Sequence, residues 1–457
     1  MSINTDLSIL IVDDSGTMLK IMQKNLNQAG FTNITTACDG KDAIEKLKST
    51  KIKLIISDWN MPTMDGLELL QWVRKSDKFS DLPFIMATAQ ADKTQQLTVK
   101  QEGGQGLLPK PFDEMELKAV IEEIFGTQEK KKETRREVKM VNGKVQLKIA
   151  HIQITDHLVL GILKHQIDTG QVKPKYFDLE TICLPGWNPV IKAIETGEVD
   201  AAFVLAPIAM DLFGFEVPIK LVMLAHKAGS IFVRSKNYNP DNYNSIKDFY
   251  KYKVVDIPHK MSIHNMLAHK YLKELGLKPG VPGKELINVR FEVVPPIQMP
   301  EIMKTNEDVA GFIVAEPIGS NAIAKGIADL EFISSEQWNN HPCCVCTIQE
   351  EFVEKHTNAV FEFTELLAKA GKYIDQNKAV AAEVAVSFLD PQQKLGLTID
   401  MLKNVLEMPN GINMMDLYPV IDDLDRIQQY MHHEMGIGVI IDLEKFVDLQ
   451  FANEACK

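Results

Sequence analysis

The chain has 457 residues, more than a single hydrophobic core holds, so two or three domains are expected. Apolar residues make up 45% and charged residues 25%, the balance of an ordinary globular protein, and a net charge of −12 with a pI near 5.5 excludes a broad basic surface for nucleic acid. No run reaches the ~18 uninterrupted apolar residues of a membrane span, and Met1 to Asp6 lacks the pattern of an export signal, so a cytoplasmic place is expected.

Ser8 to Val12 is a short apolar run ending in Asp13 and Asp14, and a helix is predicted over Met18 to Gln28, with Leu19, Met22 and Leu26 on one stripe. Lys53 to Ser57 is a second run, ending in Asp58 and followed by a Pro and Gly loop and a predicted helix, Leu67 to Lys75. Pro83 to Ala87 ends in Thr88, and Gly106 to Pro109 ends in Lys110. Runs of this length suit strands buried on both faces. Alternation with helices makes the sheet parallel, so all four strand ends reach one edge. Three carboxylates there repel one another unless a cation neutralises them, and their oxygens suit Mg²⁺. Asp58 would be free to attack a phosphoryl donor.

The acidic pair, the string Asp58-Trp-Asn-Met-Pro-Thr-Met-Asp-Gly66, Thr88 and the triplet Lys110-Pro111-Phe112 together resemble the receiver domain of two-component response regulators, chemotaxis-type receivers most closely. The resemblance covers residues 6–126 and implies a flavodoxin-like domain with a five-stranded parallel sheet. It makes Asp58 the phosphoacceptor, and it implies Mg²⁺ held by Asp13, Asp14, Asp58 and the Asn60 backbone. Thr88 and Lys110 would contact the transferred oxygens. It also implies a sensor histidine kinase or phosphotransfer protein as partner. Leu107 occupies the switch position, where many receivers carry an aromatic residue, so the usual coupling of Thr88 to an aromatic ring is not expected. An inert domain that kept this fold without its chemistry is the alternative.

After the predicted helix Glu114 to Phe125 the composition changes. Glu129 to Lys139 has six basic residues, three acidic ones and one apolar one, so it cannot build a core, and residues 127–143 read as a charged linker. From residue 144 to 457 apolar strands alternate with Gly or Pro turns and helices. Strands are predicted at Gln146 to His151, Ala201 to Leu205, Ile219 to Leu224, Ser230 to Val233, Val254 to Val255, Val289 to Val294 and Gly311 to Val314. This is α/β again, and the length suits two lobes. No helix-turn-helix pattern follows the receiver, which argues against a transcription factor.

Several strings in this part keep a shared order: Trp187 to Pro207 with its Gly-x-x-Asp-Ala-Ala turn, Ser262-Ile-His264, Pro295-Pro296, Gly311 to Pro317, Asn340-His341-Pro342, and a C-terminal helix through Tyr430. The segment thereby resembles the solute-binding proteins of nitrate, bicarbonate, sulfonate and pyrimidine-precursor uptake, the NMT1-like group. The resemblance implies a two-lobed, type II periplasmic-binding-protein-like domain whose cleft closes on its ligand by hinge motion. Carried over position by position, the cleft candidates are His157, Trp187, Pro207, Ser230, Ser262, His264 and Glu316. Trp187 offers a stacking face. His264, near a helix start, can donate to an anion. Isolated histidines and tryptophans are equally at home as packing residues.

Two departures bear on the ligand, a small organic molecule or an anion. Glu316-Pro317-Ile318 stands where the nitrate and bicarbonate branch tends to read Glu-Pro-Trp, and His341-Pro342-Cys343-Cys344 where it reads His-Pro-Glu-Lys. The missing lysine removes a cleft charge and favours a neutral or organic ligand. Cys343, Cys344 and Cys346 fall where the yeast-type thiamine pyrimidine synthases, relatives of this fold, carry an iron-binding cysteine-rich string. Thiolates with His341 could hold a soft metal. Strand alternation, however, puts Cys344 and Cys346 on one face and Cys343 on the other, so buried, reduced cysteines are the default. A cytoplasmic response regulator with a ligand-binding second half is expected. A metal-dependent enzyme and a ligand-free scaffold stay open as alternatives, as does a homodimer.

Overall fold

In a computed structural model the chain forms two compact units, Met1–Lys131 and Lys132–Lys457. The structure describes residues 7–457 apart from 77, 81, 89–97, 100–101, 110–111, 113, 126–137, 142, 185, 281–286, 392 and 394. Lys110, expected to contact the transferred oxygens, lies outside the described residues, as does most of the expected linker. Met140–Val141, inside the expected linker of residues 127–143, already pair in the second unit's sheet.

The first unit has five parallel strands: β1 (Ile9–Val12), β2 (Ile34–Ala37), β3 (Leu54–Asp58), β4 (Phe84–Thr88) and β5 (Gly106–Pro109), in the order β2-β1-β3-β4-β5. Each central strand divides its side chains between two cores. Leu10, Val12, Ile55 and Met86 face one, and Ile9, Ile11, Leu54, Ile56 and Ile85 face the other. That division explains the unbroken apolar runs, since neither face meets water. The helices Gly16–Gln28, Gly40–Ser49, Gly66–Lys75 and Glu114–Phe125 complete the described unit. Ser15 caps the first by accepting from the Met18 N–H, and Asp65 and Glu68 form a capping box on the third, at 2.8 and 3.0 Å.

The second unit has two mixed sheets. The chain builds β6 (Met140–Val141), β7 (Lys144–His151), β8 (Phe177–Cys183), β9 (Ala201–Leu205) and β10 (Ile219–Leu224) and then crosses over. It next builds β11 (Ser230–Ser235), β12 (Val254–Ile257), β13 (Pro279–Gly280), β14 (Val289–Val293), β15 (Val309–Ala315) and β16 (Ala328–Ile333), and returns with β17 (Cys344–Gln349). The first lobe's sheet runs β10-β17-β9-β7-β6 with β8 against β7, and the second lobe's runs β13-β14-β12-β15-β11-β16.

The lobes are joined by two crossing segments that hydrogen-bond to each other. The Ala225 N–H donates to the Cys344 carbonyl and the Ala228 N–H to the His341 carbonyl, both at 2.9 Å. Gly229 ends the first crossing at a φ of +85°, and a Cβ there would come within 2.7 Å of Ile412. Helices at the C-terminal end, including Thr357–Gln376, Ile421–Met435 and Leu449–Ala455, cover both lobes and contribute to the large core. Among the described residues no helix is long and apolar enough to cross a membrane.

Candidate functional sites: a strand-edge carboxylate pocket and a buried interlobe cluster

In the first unit the strand register brings the expected acceptor group together. Val12 lies opposite Ser57, Asp58 opposite Ala87 and Thr88 opposite Pro109, so Asp13, Asp58 and Thr88 occupy neighbouring strand ends. Asp13, Asp58 and Thr88 are buried and Asp14 is exposed. The Ser15 N–H donates to Asp13 Oδ1 at 2.9 Å and the Asn60 N–H to Asp58 Oδ2 at 3.1 Å, which orients both carboxylates. An all-oxygen donor set with one member facing water fits a hard divalent ion that keeps part of its hydration shell. Leu107 is elsewhere: it lies two residues before the end of β5, opposite Met86, and packs on the first of the two cores.

In the second unit the cleft candidates fall into two groups. His157 is fully buried and packs T-shaped against Trp187, ring centroids 5.9 Å apart, and its Nδ1 accepts the Ile152 N–H at 3.1 Å. Ser230 Oγ and His264 Nε2 are 2.9 Å apart within the second lobe. His157 Nε2, His264 Nδ1 and Trp187 Nε1 are buried polar atoms without a hydrogen-bond partner, so each of these three side chains keeps unused donor or acceptor capacity.

The remaining candidates have local tasks. Ser262 caps the helix Ile263–Glu274: its Oγ accepts the Asn265 N–H at 3.0 Å and donates to the His259 carbonyl at 2.7 Å, which commits its one donor and one acceptor position to the cap. Glu316 accepts from the Ser320 N–H and hydroxyl, at 3.0 and 2.5 Å. Its carbonyl accepts from Thr155 of the first lobe. Pro207 is buried in the first turn of the helix Ala206–Gly214, whose first N–H donates to the Cys343 carbonyl at 2.8 Å.

Two residues of this region were not singled out in the sequence, Asp156 and His226. Asp156 Oδ2 lies 3.0 Å from His226 Nε2, and the thiols of Cys343 and Cys344 donate to the same oxygen at 3.8 and 3.5 Å. All four residues are fully buried. Burial disfavours both charges of the Asp156–His226 pair, yet their attraction wins: the Asp156 carboxyl is held below its ordinary value and the His226 imidazole is raised to about 10. Among the described residues, His157, His264 and His341 have no carboxylate within hydrogen-bonding reach. Burial lowers them to about 3, about 4 and about 3, so they are neutral.

The decisive comparison concerns this second unit: residues 142–388, more than half of the chain, match the NMT1-like family. The chain belongs to the NMT1-like family. Residues 9–122 of this NMT1-like protein match the response regulator receiver domain. They are similar to the chemotaxis protein CheY of Pseudomonas aeruginosa, with 42% identity over 119 residues, 26% of this chain and 96% of that protein. The first unit is therefore a receiver domain of the CheY type.

Two solved structures share the fold of the second unit. One is the ligand-binding component of an ABC-type import system from Staphylococcus aureus with zinc bound, at a TM-score of 0.58 and 21% identity over 68% of this chain and 98% of that one. The other is the periplasmic nitrate-binding protein NrtA from Synechocystis PCC 6803, at a TM-score of 0.59 and 17% identity over 68% and 88%. The NMT1-like part thus has the architecture of a solute-binding protein.

The cysteines of the NMT1-like protein do not follow strand alternation. β17 starts at Cys344, so Cys343 precedes the strand, and both Cys343 and Cys344 reach Asp156. Cys346 sits opposite Phe203 in the sheet, and burial alone raises its thiol. Among the described residues, the side chains that gather around these cysteines are Cys343, Cys344, His226 and Asp156, without Cys346 or His341, the other members of the soft-metal alternative. The signal that could have found Asp156 and His226 is the one that found Asp58: each follows shortly after a buried strand.

Proposed function

We propose that this protein is a cytoplasmic response regulator, phosphorylated on Asp58, whose second unit binds a small molecule between its two lobes. Residues 6–126 would form the receiver, 127–143 the linker and 144–457 the binding domain. The convergence of Asp13, Asp58 and Thr88 at adjacent strand ends supports the receiver chemistry. An Asp58 carboxylate oxygen would attack the phosphorus of the donor, the bond from phosphorus to the donor's leaving atom would break (a histidine ring nitrogen in a kinase or phosphotransfer protein, an oxygen in an acyl phosphate), and the leaving group would keep its electron pair. Asp13, Asp14 and Asp58, with the Asn60 backbone, would hold Mg²⁺, which supplies charge neutralisation for the phosphoryl group. A sensor histidine kinase or phosphotransfer protein is the natural donor.

For the second unit, the neutral state of His157 and His264 and the unsatisfied atoms of His157, His264 and Trp187 support a neutral or organic ligand rather than an inorganic anion. Phosphorylation adds about one to two negative charges to the receiver. If the units are coupled, ligand affinity and phosphorylation shift each other by the same factor.

Mg²⁺-dependent labelling of the full chain by a small-molecule phosphodonor tests the receiver half. It should be abolished in Asp58→Asn, and persistent labelling would remove Asp58 as acceptor. Native mass spectrometry of the purified protein tests the other half: an organic adduct supports it, whereas the absence both of an adduct and of stabilisation by candidate solutes argues for a scaffold.

A further inference from the structure

We propose that Asp156, His226, Cys343 and Cys344 form a binding site for one borderline-soft divalent transition-metal ion, with Zn²⁺ as the type case, at the hinge of the second unit. Their candidate ligand atoms, one per residue, all lie within 4.8 Å of one another. Three of the separations are 3.0, 3.5 and 3.8 Å, measured from Asp156 Oδ2 to His226 Nε2, Cys344 Sγ and Cys343 Sγ. A tetrahedral ion with bonds of ~2.3 Å to sulfur and ~2.0 Å to nitrogen and oxygen holds its ligands ~3.3–3.8 Å apart. The separations from Asp156 Oδ2 are thus close to those an ion imposes, and the others, within 4.8 Å, are short enough for side-chain rotation to close. One carboxylate oxygen, one imidazole nitrogen and two thiolates are wrong for Mg²⁺ or Ca²⁺ and right for Zn²⁺.

Two further observations point the same way. Asp156 Oδ1 and His226 Nδ1 are buried without a hydrogen-bond partner, although both residues are fully buried. The Cys344 N–H is also directed at His226 Nε2, from 3.2 Å, so that nitrogen faces a donor and a carboxylate together. An imidazolium suits only the carboxylate, and an unprotonated nitrogen suits only the donor. A divalent ion among the four groups removes the conflict, because the ring can be neutral while the carboxylate and the thiolates stay charged.

The location gives the ion a consequence. His226 is on the first crossing segment and Cys343 on the second, and Asp156 follows β7 in the first lobe. A bound ion would tie both crossings to one lobe and so fix the hinge about which the other lobe moves. The site stands whether or not the cleft binds an organic solute.

The test is a Co²⁺ titration of the reduced full-length protein, Co²⁺ serving as the spectroscopic stand-in for Zn²⁺. One equivalent should bind, with intense tetrahedral d–d bands and a thiolate charge-transfer band, and Zn²⁺ should displace it. The Cys343→Ser, Cys344→Ser protein should lose the charge-transfer band and bind at least about a hundredfold more weakly. A Cys38→Ser, Cys183→Ser, Cys456→Ser protein should keep it. Wild type that binds no Co²⁺, a band that survives the first substitutions, or one that disappears with the second would each overturn the site. X-ray absorption of the Zn²⁺-loaded wild type needs no variant: a first shell of two sulfur and two nitrogen or oxygen atoms supports the proposal, and a shell without sulfur refutes it.

Discussion

Gly66 lies directly against Asp58: a Cβ at position 66 would sit 2.1 Å from the Asp58 carbonyl oxygen and 2.8 Å from Met86 Sδ. The residue that starts the helix after the acceptor loop must therefore be glycine, because the obstacle is backbone and cannot rotate away. Gly66→Ala should push the end of β3 outward, destabilise the receiver by about 1–3 kcal/mol and slow labelling at Asp58. Gly16→Ala is the matched control, since nothing lies within 4 Å of its added methyl, and its helical setting makes it neutral or slightly stabilising. Urea unfolding and phosphodonor labelling of both variants check this, and equal behaviour would mean that the close approach is not felt.

Acid should destabilise the second unit. His151, His157, His264 and His341 are pulled down by burial, to about 4, 3, 4 and 3, from an ordinary value of 6.5. Between those values and 6.5 the unfolded chain binds more protons than the folded one, so this contribution to stability is fully present above pH 6.5 and is lost as pH falls toward 4. Each histidine contributes a slope on the order of 1 kcal/mol per pH unit in that window. His226 has the opposite sign. It is raised to about 10, so its contribution is present below 6.5 and is lost as pH rises through 10. Thermal midpoints of the full chain, followed by a probe in the second unit, should fall from pH 7 to pH 5. A flat profile would show that the buried rings are not neutral.

The receiver was readable because each of its chemical groups ends an apolar run, and a parallel sheet necessarily carries such ends to one edge. Strand β2 was harder: Ile34-Thr-Thr-Ala37 is half-buried and only weakly apolar, so no run stands out. In the second unit, strands such as Ala201–Leu205 and Ile219–Leu224 match the expected bounds, since full burial again makes them continuous. In the hinge cluster the positions after strands were readable, but their grouping was not. Asp156 and His226 are 70 residues apart and His226 and Cys343 117 apart, and the antiparallel pairing of the two crossings is what brings His226 to Cys343 and Cys344 beside the end of β7. Alternation also misplaced Cys343, because the strand that would impose it begins one residue later.

Ser262 and Ser230 should separate capping from binding. The Ser262 hydroxyl donates and accepts at the start of its helix, whereas Ser230 Oγ meets His264, a candidate for the cleft. Ser262→Ala should cost about 1 kcal/mol of stability and leave solute affinity unchanged. Ser230→Ala should do the reverse in emphasis, weakening the cleft ligand several-fold with a smaller loss of stability. Denaturant midpoints and titration with the molecule found by native mass spectrometry decide this. A larger affinity loss in Ser262→Ala than in Ser230→Ala would invert the assignment.

Thr155 and Glu316 form a direct tie between the lobes. Thr155 follows β7 in the first lobe and Glu316 follows β15 in the second, and the Glu316 carbonyl accepts both the Thr155 N–H, at 3.0 Å, and its hydroxyl, at 2.6 Å. Both residues are buried, and no side-chain charge is involved in the tie. Thr155→Val keeps the shape and the N–H but deletes the hydroxyl donor, which should weaken the closed arrangement by about 1 kcal/mol. In an open arrangement water would serve these groups, so that state loses nothing. The equilibrium should therefore move about fivefold toward opening, and the Thr155 amide, whose acceptor is on the other lobe, should exchange its hydrogen about fivefold faster. Amides inside β7 should be unaffected, because their partners lie within the first lobe. Unchanged protection at Thr155 alongside unchanged protection in β7 would show that this contact does not hold the lobes together.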